Sequence, residues 1–152
     1  MRTFTVTEIA ERIARKGEKL ELVADRIRNW TKDGLLEPTG DKNPGTGRSR
    51  QYPEKALIEA MVLLELMDCL GIQPIKARWF AGWSKAAKRV LHRSEDRKKY
   101  LIFSRSGAVT GIELRDPKEL LAWLQASPEF ASHIIIDLEK LYACLEQNPE
   151  TA

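Results

Sequence analysis

The chain is predicted to be mainly α with a small β component, on three observations. Apolar residues recur three and four apart through most of residues 6–90, the signature of amphipathic helices. Residues 36–53 break that pattern with Pro38, Gly40, Pro44, Gly45 and Gly47 and add positive charge. Short β-rich runs around a Ser-Gly turn appear only after residue 99. The order predicts a helical N-terminal module with a basic hairpin over residues 1–72, a connecting amphipathic helix over 73–98, and a small α+β unit over 99–152.

A first short helix is expected near Thr7, because Thr suits a helix cap and Val6, Ile9, Ala10 and Ile13 form one stripe. Gly17 interrupts the stripe. Leu20, Val23, Ala24, Ile27 and Trp30 resume it as a second helix that stops at Gly34. Residues 35–37 and 49–52 could pair as short antiparallel strands, which would make the loop between them a projecting hairpin. Pro53 suits the first position of a third helix. That helix carries Ala56, Leu57, Ala60, Met61, Leu63, Leu64 and Met67 as a wide apolar stripe and should end at Gly71.

Residues 73–92 read as a fourth helix with Ile75, Trp79, Phe80, Trp83 and Val90 on one side, and the charged residues 94–99 mark a boundary. Residues 100–104 and 108–114 flank Ser106-Gly107 as a two-stranded hairpin. Asp116 and Pro117 are a cap and first residue for a helix through Leu120, Leu121, Trp123 and Leu124. A third strand at 133–136 follows, and Asp137 caps a last helix carrying Leu138, Leu141, Tyr142 and Leu145.

The composition fits a folded intracellular protein: 152 residues, 43% hydrophobic, 31% charged and a formal charge of +3. No apolar run approaches the roughly 20 residues of a membrane span, and the N-terminus lacks a secretory pattern. Cys69 and Cys144 lie in apolar helical patterns with no metal-ligand spacing, so buried free thiols are expected. His92 and His133 are lone histidines, and no carboxylate stands at a spacing that pairs it with a base or a metal. Neither an enzyme nor a cofactor is expected.

Charge is unevenly spread. Residues 1–100 hold 21 Lys or Arg against 14 Asp or Glu, whereas residues 101–152 hold 4 against 8. The basic part contains Arg28-Asn29-Trp30-Thr31-Lys32-Asp33-Gly34, a helix end with Arg28 and Lys32 one turn apart, followed by a loop carrying Lys42, Arg48 and Arg50. Two cationic elements side by side suit a nucleic-acid backbone. Solvated surface charge is the simpler alternative for each of these residues. Trp79, Phe80 and Trp83 could stack on bases, with Lys85, Lys88, Arg89 and Arg93 assisting, but their helical spacing favours a core.

Several blocks occur in a recognisable order: Thr5-Val6-Thr7-Glu8-Ile9-Ala10, then Ile27-Arg28-x-Trp30, Gly34-Leu35-Leu36-Glu37-Pro38, Arg50-x-Tyr52 and Leu70-Gly71-Ile72. This pattern resembles the winged helix-turn-helix DNA-binding domain of the mercury-resistance regulator (MerR) family over roughly residues 5–72. The 20 positions from Glu8 to Arg28 exceed the family's spacing, and the family's long dimerising coiled coil has no counterpart. The resemblance implies double-stranded DNA as partner. It draws the contacting residues from Thr7, Arg26, Arg28, Asn29, Trp30, Lys32, Lys42, Arg48, Arg50 and Tyr52. Arg28 and Lys32 would meet phosphates, Arg26 a base edge, Arg48 and Arg50 a flanking phosphate or the minor groove, and Tyr52 either a phosphate or the adjoining helix.

The expected function is that of a cytoplasmic, sequence-specific transcriptional regulator, homodimeric through the C-terminal unit, whose strand at 133–136 could join a second copy. Two copies would read half-sites roughly 34 Å apart. Alternatives are a phage-type excisionase or a terminase small-subunit-like packaging factor, and an interaction adaptor that has lost DNA binding. The target sequence, the direction of regulation and any small-molecule effector are left open.

Overall fold

Thr5 ends one element and starts the next. It is the last residue of a short strand, β1 (Thr3–Thr5), and the N-cap of the first helix, α1 (Val6–Ile13), so the helix begins one residue before the expected Thr7. Glu8 explains the choice. Its carboxylate accepts from the Thr5 backbone N–H at 2.6 Å and from the Thr5 hydroxyl at 2.9 Å, while the Glu8 N–H donates to Thr5 Oγ1 at 3.3 Å. This closes a capping box. The bonds from the Thr5 backbone and side chain, helped by the charges of Arg12 and Arg2, hold the Glu8 carboxyl below the usual carboxylate range.

The computed structural model describes residues 2–70, 91, 97–106, 109–126 and 129–146. The expected helix at 73–92, with its aromatic and basic residues, and the boundary residues 94–96 fall outside the described residues, Leu91 excepted. Within them the fold is mixed α+β. No described helix is long and apolar enough to cross a membrane, and no described group of His, Cys, Asp and Glu is placed to hold a metal.

α2 (Leu20–Lys32) begins eight residues before Arg28, so the long interval from Glu8 is filled partly by an early helix start and partly by the turn at 14–19. Glu18 braces that turn, accepting from the Arg15 backbone N–H at 3.2 Å and pairing with Arg26 at 3.0 Å. α2 buries Val23, Ala24, Ile27, Trp30 and Thr31. Its end is sharp. Gly34 adopts φ 77°, a left-handed conformation that costs a residue with a Cβ about 1 kcal/mol or more, and the N–H groups of Leu35 and Leu36 return to the Trp30 carbonyl at 2.8 and 3.2 Å. Leu35 and Leu36 thereby turn into the core.

The strand pairing differs from the expected one. Residues 49–52 do not pair with 35–37. Instead β2 (Gln51–Pro53) runs antiparallel to β1, with Phe4 opposite Tyr52, and only Thr39 bridges to Gln51 from the other side. The reason is apolar: Phe4 and Tyr52 are both buried, so pairing these strands closes the core, while Leu35 and Leu36 are already committed beneath α2. Pro53 consequently ends β2, and the third helix, α3 (Lys55–Leu70), starts two residues later.

α3 is the spine. Its Ala56, Ile58, Ala60, Val62, Leu63 and Leu66 are buried, and Arg15 pairs with Asp68 and, at 3.7 Å, with Glu65, tying the turn after α1 to the end of α3. Near-uniform burial around α3 follows from packing on both sides. The C-terminal part is a three-stranded antiparallel sheet in the order β4-β3-β5: β3 (Tyr100–Ser106), β4 (Val109–Arg115) and β5 (Ser132–Asp137). Leu101 and Ile136 join the α3 core, as do Leu138 and Leu141 of the last helix, α5 (Leu138–Glu146), so one buried cluster runs through both parts.

β4 leads into Pro117–Glu119, a single 3-10 turn capped by Asp116, and then α4 (Leu120–Ala126), whose Trp123 meets His133 on the face of the sheet turned away from Leu101 and Ile136. There Ser104 and His133 share a hydrogen bond of 2.8 Å, with the rings of Trp123 and Phe130 set edge-on to the imidazole. A Cβ at position 111 would stand 3.0 Å from the Phe130 ring, which accounts for glycine in the middle of β4. Cys69 and Cys144 are exposed, contrary to the buried thiols expected. Cys69 lies in the last turn of α3 beside exposed Asp68, and Cys144 lies in the last turns of α5.

Two outcomes are expected. Thr31 donates to the Ile27 carbonyl at 2.9 Å and its oxygen stands 2.7 Å from the Tyr52 hydroxyl, both side chains being buried. Thr31→Val strands the Tyr52 hydroxyl and should cost about 1–3 kcal/mol, Tyr52→Phe about 1 kcal/mol, and the double variant less than the sum, measured by urea unfolding. For Glu8, whose carboxyl is depressed on folding, the capping contribution is fully present above the unfolded value of about 4.3 and is lost as pH falls through the folded one. Glu8→Gln should flatten that acid limb in pH-dependent thermal unfolding; an unchanged acid limb would refute the assignment.

Candidate nucleic-acid interface

The outward face of α2 follows from its buried one. With Val23, Ala24, Ile27, Trp30 and Thr31 inside, Glu21, Leu22, Asp25, Arg28, Asn29 and Lys32 face solvent. Arg28 lies midway and pairs with Asp25 at 2.5 Å. Arg26 lies off this face, half-buried against Glu18, where it serves the turn. The contact the structure gives Arg26 is this ion pair, and the groove lining does not include it.

After Gly34 the loop is pinned by its own cations. Lys42 Nζ donates to the Lys32 carbonyl at 3.1 Å, capping the end of α2, where the unpaired carbonyls and the helix dipole favour a positive charge. Arg50 donates from Nε to the Lys42 carbonyl at 2.5 Å and from Nη2 to Asn43 Oδ1 at 3.1 Å. A chain of contacts thus runs from α2 through Lys42 to Arg50 and into β2. By contrast Arg48 and Lys32 keep exposed side chains that have no ion-pair or hydrogen-bond partner among the described residues.

Pinning the loop beside α1 creates a groove of about 620 Å³. It is lined by Thr5, Val6 and Thr7 from the start of α1, by Arg28 from α2, and by Asn43, Pro44, Gly45, Thr46, Arg48, Ser49 and Arg50 from the loop. Three guanidinium groups and several hydroxyls line it, and no carboxylate does. Such a lining suits an extended anion: guanidinium groups donate two parallel hydrogen bonds to phosphate oxygens, and the hydroxyls supply neutral donors between them.

Of the residues expected to contact DNA, the groove brings together Thr7, Arg28, Arg48 and Arg50. Asn29 and Lys32 sit nearby on the exposed face of α2, and Lys42 lies at its end. Trp30 and Tyr52 are in the core, so their side chains do not offer a surface. Both entered the candidate set through the family resemblance; Trp30 also had a place in the apolar stripe of α2, and for Tyr52 the buried hydroxyl on Thr31 corresponds to the alternative of packing against a helix. Thr5, Asn43, Thr46 and Ser49 were missed. Their signal is the polar small-residue content of a loop otherwise made of Gly and Pro, which turn chemistry explains equally well. Comparison with protein-family models and with curated proteins finds no match for this chain.

The pinned and unpartnered arginines should separate experimentally. Arg50→Ala removes two loop contacts and should speed proteolysis and amide exchange across residues 42–50, with a stability loss of about 1–2 kcal/mol. Arg48→Ala should change stability by less than about 0.5 kcal/mol. Equal effects would show that Arg50 does not hold the loop.

Proposed function

We propose that this protein binds double-stranded DNA and acts as a sequence-specific transcriptional regulator, with the arginine groove seating the phosphate backbone. One observation carries the reading: Arg28, Arg48 and Arg50, brought from two separate segments, line a groove that contains no carboxylate. Positive charge at that density, with no carboxylate among the lining residues, suits a polyanion better than a neutral substrate.

The order of elements supports a winged helix-turn-helix reading of the first part. α1, the braced turn and α2 form the helical pair, and the loop clasped by β1 and β2 takes the part of the wing. In that reading α2 enters the major groove with Asp25 and Asn29 towards the bases, while Arg28, Arg48 and the start of α1 hold the backbone. Lys32 and Lys42 extend the positive edge along the same strand. Affinity comes chiefly from phosphate contacts and sequence preference from α2.

Binding should fall steeply with salt. For each phosphate contact removed, the slope of log affinity against log salt should decrease by about 1, so Arg48→Ala and Arg28→Ala should each flatten it by that amount. Lys118→Ala, outside the groove, should leave it unchanged. The measurement is fluorescence anisotropy on a random duplex, followed by selection from a random DNA pool. Absence of binding at low salt would defeat the nucleic-acid reading, and binding without enrichment of any sequence would defeat the regulator reading alone.

A further inference from the structure

β5 lies at one end of its sheet, and its backbone is set to continue it. The Leu138 N–H donates to the Lys99 carbonyl at 3.3 Å, which makes Lys99 and Leu138 a hydrogen-bonded pair in the β3–β5 register. Alternation then gives Ile136 and Ile134 their bonds to β3, opposite Leu101 and Phe103, and turns the N–H and C=O groups of His133, Ile135 and Asp137 outward. No described strand meets them there.

Edges of this kind are ordinarily blunted by Lys, Pro, a charge or a bulge. The opposite edge, β4, follows that rule with Glu113 and Arg115, which pair at 2.8 Å. β5 has little of this: it reads Ser-His-Ile-Ile-Ile-Asp, with Ile135 left 41% exposed, no lysine or proline along its length, and a single carboxylate at its end, Asp137, which accepts from the Lys140 backbone N–H at 3.2 Å.

We infer that β5 is an interface with a second copy of this chain, the two strands pairing antiparallel about a twofold axis through Ile135. The strand is complementary to itself in that register. Ile135 meets Ile135, so the exposed apolar side chains cover each other, and His133 stands opposite Asp137 of the second copy in both halves. The hydrogen bond to Ser104 occupies His133 Nδ1; with that hydroxyl donating, Nε2 carries the proton and presents it to the Asp137 carboxylate across the axis. The outward N–H and C=O groups of the same three residues exchange bonds with those of the other strand. A strand that meets all three must carry an acceptor, an apolar residue and a donor in that order, and β5 carries them itself. The inference is independent of the nucleic-acid reading.

The test uses the full chain. Sedimentation velocity at micromolar concentration should give a dimer, and hydrogen exchange should show slow exchange at the outward-facing amides of His133 and Ile135. Ile135→Lys should raise the dimer dissociation constant by about tenfold or more while circular dichroism is unchanged, whereas Leu121→Lys, on the exposed side of α4, should leave it as it was. A monomer, or a dimer in which the Ile135 amide exchanges at the free rate, would overturn the inference, as would a dimer indifferent to Ile135→Lys.

Discussion

The antiparallel clasp between β1 and β2 is the constraint on which the rest of the N-terminal part depends. Phe4 and Tyr52 face each other across it and both are buried, so the clasp is also a piece of core. It anchors the two ends of what would otherwise be separate features. β1 runs directly into the capping box of α1, and β2 receives the loop that leaves α2. Burying side chains of this size contributes roughly 1.5–3 kcal/mol each, far more than the loop's exposed hydrogen bonds. The Tyr52 hydroxyl adds direction by meeting Thr31 on α2 at 2.7 Å. The end of the loop is thereby located against α1 and α2 together, and the groove between them is a consequence.

Within the loop, positive charge is divided by task. Lys42 and Arg50 spend their donors on the carbonyls of Lys32 and Lys42, and Arg48 keeps its own exposed. A flexible arginine loop would lose conformational entropy on meeting a ligand, which weakens binding. Holding Arg50 in place removes part of that cost beforehand. The arrangement also explains why Gly and Pro are frequent here. The loop turns tightly enough to return to β2, with Gly45 and Gly47 at φ 85° and 84°, and side chains at those positions would resist it.

Periodicity made the helices legible. The stripes of α1, α2 and α5 and the caps at Asp116 and Asp137 stand in the sequence because each depends on residues a few positions apart. Pairing between distant strands does not. Residues 35–37 and 49–52 are near in sequence and look like a hairpin, but the competition was decided by Phe4, which no local pattern connects to Tyr52. The candidate site divides along the same line. Arg28, Arg48 and Arg50 could be named from charge alone, whereas the place of Thr5 and Thr7 beside them required the clasp. Tyr52 and Trp30 were ambiguous because an aromatic residue serves a core and a surface equally well, and only burial separates the two. Arg26 and Arg28, two residues apart, have different roles because one faces Glu18 and the other the groove.

The exposed face of α2 is not uniformly basic, and this bears on how the protein would use it. Asp25 lies beside Arg28 and Glu21 two turns before it on the same exposed face, and both would repel phosphates, so a helix lying along the backbone would lose part of what its cations gain. Base edges impose no such penalty. A carboxylate can accept from cytosine N4 and a carboxamide can pair with adenine N6 and N7, and Asp25 and Asn29, one turn apart on the exposed face of α2, present both groups together. Under the proposed function the backbone is then left to the carboxylate-free groove, and α2 is free to discriminate. Separating the two tasks in this way makes affinity a property of the clasped loop and selectivity a property of the helix, which is why the clasp, by placing them side by side, comes before both.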